Sequence, residues 1–112
     1  MPASQAQLDR MFQALSDGAR RRMLERLSRG AASGKELADA AGLALPSTIK
    51  HLRMLEDGGM VRSSKAGRVR TFRMAPDALR AVSGWVAQRE ADLTTGFDRL
   101  ARAMAALPED EE

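Results

Sequence analysis

Apolar residues recur along this chain first at helical and then at strand spacing. Leu8, Met11, Phe12 and Leu15 form one face of a helix over Gln5 to Leu15. Asp17 offers a carboxylate to cap a second helix near Gly18 to Arg29, with Met23, Leu24 and Leu27 inward and Gly30 at its end. Ser33 and Glu36 have the spacing of a capping box, which opens a short third helix through Ala41; Leu37, Ala38 and Ala41 form its inner side, and Gly42 ends it. Pro46, having no amide hydrogen to lose, suits the start of a fourth helix that runs to about Asp57 and stops at Gly58-Gly59.

The period then shortens. Met60 to Ser64 and Val69 to Met74 read as two strands joined through Lys65-Ala66-Gly67-Arg68. In the second strand Val69, Thr71 and Arg73 point one way, and Arg70, Phe72 and Met74 the other. Pro76 and Asp77 are expected to start a long final helix with apolar positions at Leu79, Val82, Val86, Leu93, Phe97, Leu100, Met104 and Leu107. A seam of this period wants a partner helix. In a monomer, the first half would pack on the domain's own core and the rest would fray. The stretch from Phe97 to Leu107 favours a homodimer, with Leu8, Met11, Leu93, Phe97, Leu100 and Met104 at its interface. The expected organisation is one domain over residues 1–107 with terminal dimerisation helices, then an acidic, disordered tail over 108–112.

Composition narrows the function. The 112 residues carry 44% hydrophobic and 29% charged side chains, a soluble globular balance, and seven Met suit core gaps or a helical interface. No apolar run approaches a membrane span, and the N-terminus lacks the pattern of a signal segment, so a cytoplasmic protein is expected. Cysteine is absent and His51 is the one histidine, which leaves no thiol chemistry, little for a metal site and no nucleophile–base pair. No catalytic residue, metal or cofactor is assigned. The net charge of +3 hides an asymmetry: residues 18–73 carry thirteen bases and five acids, a net +8, against −1 before them and −4 after. That distribution suggests a polyanion docking on the middle of the chain, although solvated helix faces would also account for it.

The order of elements, four helices, a basic hairpin and a last helix (α-α-α-α-β-β-α), describes a mainly α fold with a β-hairpin: a dimeric winged helix-turn-helix. Its second motif helix lies in the major groove of double-stranded DNA and its hairpin, the wing, follows the backbone. On a helical wheel of the fourth helix, Thr48, Leu52 and Leu55 fall within about 60° and face the core. Pro46, Ser47, Lys50 and Arg53 lie opposite, flanked by Ile49 and Met54, with His51 at the core margin. Lys50 or Arg53 suits guanine, and Ile49 a thymine methyl. The wing adds Arg62, Lys65, Arg68, Arg70 and Arg73; strand alternation would let Arg68 and Arg70 follow one phosphate run, and Arg68 beside Gly67 suits a minor groove. Charge protection of an edge hairpin would explain some of these bases equally. Arg20, Arg21 and Arg22 oppose their own helix dipole, so they are expected to pair with acids or face phosphate rather than to stabilise locally. Lys35 is placed for a backbone contact. Trp85, at the seam's margin, reads as a core or interface anchor or as the lining of an effector pocket.

Several phrases in this order resemble the ArsR family of bacterial repressors. They are Leu15-Ser16-Asp17-x-x-Arg20-Arg21, His51-Leu52-x-x-Leu55, the Gly58-Gly59-Met60-Val61 turn into the wing, and Gly67-Arg68, within a resemblance covering roughly residues 8 to 100. The resemblance implies a symmetric dimer held by its first and last helices, repressing its own operon and released by an effector. Two departures stand out. Gly18-Ala19 replaces a frequent Pro-Thr, and the ligands of metal-sensing members are missing: Glu36 to Ala41 has no Cys and the last helix no His. The chain therefore resembles the metal-independent branch, whose inducers the sequence does not name. The rival reading is a helical dimer whose basic segment docks an acidic protein.

Overall fold

The computed structural model describes residues 4–108. The expected acidic tail falls outside them except for Pro108. Five helices and three strands follow in the order α1 (Gln5–Leu15), α2 (Gly18–Leu27), β1 (Ala32–Ser33), α3 (Gly34–Ala41), α4 (Leu45–Asp57), β2 (Val61–Ala66), β3 (Val69–Met74) and α5 (Arg80–Ala105). The chain divides into two units after Val82.

Local chemistry sets the helix starts of the first unit. Asp17 caps α2 by accepting from the Arg20 amide, and the Ser33–Glu36 box at α3 is closed in both directions. Gly42 ends α3 in the left-handed region at φ 68°, a conformation that costs a side-chain-bearing residue more. Pro46 stands in the first turn of α4, where Ala44 gives no side-chain cap. At the other end of α4, Gly58 is favoured by proximity: a Cβ there would be crowded, 3.1 Å from both the Arg10 carbonyl oxygen and the Ala14 Cβ of α1.

The core joins Met11 and Ala14 of α1 to Met23, Leu24 and Leu27 of α2, Leu37 and Ala41 of α3, Leu52 and Leu55 of α4, Met60 in the turn before β2, and Val61 and Phe72 of the sheet. The sheet is antiparallel in the order β1-β3-β2. Its third strand carries no signal in the sequence pattern. Ala32 and Ser33 are too few to carry a period, and they become a strand only by pairing with Phe72 and Thr71. The hairpin strands extend to Ala66 and restart at Val69, so the connection is a tight two-residue turn, with Gly67 supplying the positive φ.

Two expectations need correction here. The last helix begins at Arg80, not at Pro76-Asp77. Ala75 is tied to the Met60 carbonyl, and tight turns bond Ala78 to Ala75 and Arg80 to Asp77. Ala75 and Ala78 are buried, so this stretch is a core-packed turn. Met11, expected at the dimer interface, is buried in its own unit's core, while Leu8 is half-buried.

The second unit holds the body of α5, none of whose residues is buried. Leu93, Phe97, Leu100, Met104 and, just beyond the helix, Leu107 alternate steps of four and three, and all are exposed, Phe97 at 67%. Arg89 lies over the Trp85 ring, 5.3 Å from its centroid. Among the described residues no helix is long and apolar enough to cross a membrane.

Candidate nucleic-acid interface

Helix α4 stands as the wheel predicted. Thr48, Leu52 and Leu55 are buried; Thr48 satisfies its hydroxyl on the Ala44 carbonyl at 3.0 Å, so a polar residue fits an apolar wall. Pro46, Ser47, Lys50 and Arg53 are exposed, and Ile49 is half-buried. Lys35, in the first turn of α3, is exposed as well. Where α3 meets α4, Gly34 is buried, and a Cβ there would make ordinary contact with the Ile49 and Leu45 side chains at 3.5 Å.

Beside α4 the hairpin sets cation against cation. Its register pairs Arg62 with Arg73 and Lys65 with Arg70. Like charges directly opposite destabilise a strand pair. None of these four, nor Lys50, Arg53 or Arg68, makes an ion pair with a described carboxylate. Arg70 is held instead by the Ser63 hydroxyl, to which its Nη1 donates at 2.8 Å. Between α4 and β3 lies a cleft of about 360 Å³ with Ile49, Leu52 and Phe72 as its apolar lining and Arg53, Glu56 and Arg70 as its charges. Arg53 and Arg70 thus face one space from two elements.

Arg68 sits in the turn and not on a strand, so strand alternation does not place it beside Arg70. The two remain close in sequence but are presented by different local geometry. Arg20 and Arg21 also depart from expectation. The Arg20 guanidinium donates to the Ala14 carbonyl at 2.8 Å and the Gln13 carbonyl at 3.0 Å, and Arg21 donates to the Leu15 carbonyl at 2.7 Å. These cations face the C-terminus of α1, where positive charge is favourable, and so they do stabilise locally. The signal was a short connection, Ser16-Asp17, that brings the start of α2 to the end of α1; only the folded distance reveals it.

The Arg20 side chain also meets α4, with Nη1 at 3.1 Å from His51 Nδ1 and 3.3 Å from Met54 Sδ. Asp17 Oδ2 stands 3.9 Å from the same ring nitrogen. The bond from the Arg20 amide, with further help from His51 and the Arg20 charge, holds the Asp17 carboxyl below its ordinary value. Glu36 is lowered in the same sense, chiefly by the Ser33 amide.

Taken together, the elements define a winged helix-turn-helix. A helix-turn-helix domain family profile matches residues 15–64. The HTH-type transcriptional regulator Rv2034 of Mycobacterium tuberculosis is 36% identical over 74 residues, 66% of this chain and 69% of that protein. The crystal structure of an ArsR family transcriptional regulator, RHA00566, superposes with a TM-score of 0.77 at 44% identity, covering 84% of this chain and 97% of that one. The homodimeric winged helix-turn-helix DNA-binding domain of Mb0332 from Mycobacterium bovis gives a TM-score of 0.64 at 28% identity, covering 78% and 83% of the two chains. The chain belongs to the ArsR family, and it is a transcriptional regulator with a helix-turn-helix DNA-binding fold.

Both lowered carboxyls cap helices in their ionised form. Their contribution is therefore full above the ordinary carboxylate range and is lost as pH falls through their lower folded values. Thermal denaturation between about pH 5 and pH 2 should show stability falling with acidification, and Asp17→Asn, which still caps but does not titrate, should flatten part of that slope. An unchanged slope in Asp17→Asn would rule out this cap as a source of acid sensitivity.

Proposed function

We propose that the protein binds an inverted-repeat DNA operator as a homodimer and represses its own operon, with release by a non-metal effector. The observation that carries this reading is the wing's pairing of cations against cations, Arg62 with Arg73 and Lys65 with Arg70, without described carboxylates to neutralise them. A polyanion relieves that repulsion, and the phosphate backbone supplies one.

The roles follow from position. Lys50 and Arg53 on α4 read guanine, and Ile49 meets a thymine methyl. Pro46, Ser47 and Lys35 lie against the backbone beside the helix starts. Lys65 and Arg70 follow phosphates, Arg70 being pre-oriented by Ser63. Arg68, beside Gly67 in the turn, enters the minor groove.

A homodimer is supported by the uncovered stripe from Leu93 to Leu107 and by the homodimeric state of the M. bovis relative. Two copies related by a two-fold axis place their recognition helices one or two DNA turns apart, hence an inverted repeat. A metal inducer is disfavoured by the donor set: there is no cysteine, and the single histidine contacts Arg20. The site of action is the cytoplasm, where the DNA is.

Lys50→Ala and Arg53→Ala should each weaken operator binding by roughly 1–3 kcal/mol and relax sequence preference, measured by fluorescence anisotropy against scrambled duplex. Unchanged discrimination in both variants would remove α4 from base reading. Phe97→Asp, by placing a charge in the stripe, should yield a monomer in sedimentation at micromolar concentration. A dimer persisting there would place the interface elsewhere.

A further inference from the structure

His51 is the one ionisable imidazole in the chain, and it sits where α4 meets α2. Its partner Arg20 is only 7% exposed, with its guanidinium engaged on two sides. One side donates to the Gln13 and Ala14 carbonyls at the end of α1, and the other reaches His51 and Met54 on α4. A guanidinium has donors only. The 3.1 Å contact with His51 Nδ1 therefore requires a lone pair on that nitrogen, with the ring proton on Nε2. An imidazolium has no lone pair to offer, and its charge would face the guanidinium.

The charged groups around the ring are few. From the α2 side come Arg20 and Asp17, whose Oδ2 is 3.9 Å away and already accepts from the Arg20 amide at 3.0 Å. From α1 come the main-chain carbonyls that hold Arg20. On α4 the residues one turn away, Ser47, Thr48, Met54 and Leu55, do not ionise. A protonated His51 thus exchanges its bond with Arg20 for Asp17, in competition with the cap of α2. Lys50 precedes His51 and Arg53 follows two residues later, so a turn of α4 about this contact moves both base-reading candidates.

We propose that Arg20 and His51 form a proton-sensitive latch: neutral His51 accepts from the buried guanidinium and fixes the pose of α4, and protonated His51 releases it. His51 is a positioning residue, acting on DNA through α4. Its consequence for operator choice rests on the DNA-binding reading above, whereas the latch itself does not.

The test has two parts on the whole 112-residue chain. Nitrogen-15 NMR of the free protein should show the His51 Nε2–H tautomer at about pH 8, with α4 amides exchanging faster as His51 protonates. A Nδ1–H tautomer at about pH 8, or α4 exchange indifferent to the protonation of His51, overturns the latch whatever the protein binds. The second part compares operator and scrambled duplex from about pH 8 to about pH 5.5. The preference of the wild type should fall on the order of tenfold, the effect of losing a hydrogen bond to a charged group. His51→Asn places a non-titrating amide oxygen near the Nδ1 position, so it should keep the preference and lose its pH dependence. A variant as pH-dependent as the wild type overturns the assignment to His51. Absence of any preference in the wild type at all pH values, with the tautomer as expected, overturns the DNA reading and leaves the latch in place.

Discussion

A guanidinium withdrawn from water is costly unless its donors find acceptors, and Arg20 finds them on two other helices. Its Nε and Nη2 donate to the Ala14 and Gln13 carbonyls at the end of α1, and its Nη1 meets His51 and Met54 on α4. Its own amide is capped by Asp17. One side chain therefore joins three helices at the place where α1 ends, α2 begins and α4 crosses. The apolar packing of Leu52 and Leu55 holds α4 in the core, but apolar contact is non-directional. The directional bonds from Arg20 tie it to the end of α1 and the start of α2.

With α4 set in this way, its outer face and the wing share one basic surface. The cleft between them brings Arg53 and Arg70 to a common space over an apolar floor. The hairpin accepts two directly opposed cation pairs, which isolated strand stability would disfavour. A regulator of this family meets a partner whose phosphates supply the missing negative charge. The last helix carries an exposed apolar stripe, a feature typical of interaction surfaces. In the proposed homodimer a symmetric pair would cover the stripe and double the basic surface.

The features legible in the sequence were those decided by neighbours a few residues apart. The Asp17 cap, the Ser33–Glu36 box, the Gly42 stop and the inward Thr48, Leu52 and Leu55 are all consequences of helical period and local hydrogen bonding. The features missed depend on distant partners. Ala32-Ser33 is a strand only because β3 lies beside it, and Arg20 reads as one of three surface arginines until α1 and α4 close around it. Pro76-Asp77 has the chemistry of a helix start, whereas burial of Ala75 and Ala78 holds the segment as a turn and α5 begins at Arg80. Met11 satisfies a surface helix pattern and a core pattern equally, and the close approach of α4 at Gly58 accompanies the core solution. In the wing the bases were visible as residues, but their opposition across the register, and the place of Arg68 in a two-residue turn, required the pairing.

The most direct measurement is the affinity of the purified protein for the DNA upstream of its own coding sequence, against a scrambled duplex, across a salt series. A sequence-specific regulator should show a preference of about 10³ or more for the native duplex that survives moderate salt. Equal and steeply salt-dependent binding to both duplexes would contradict it, and would reduce the basic surface to a non-specific electrostatic one.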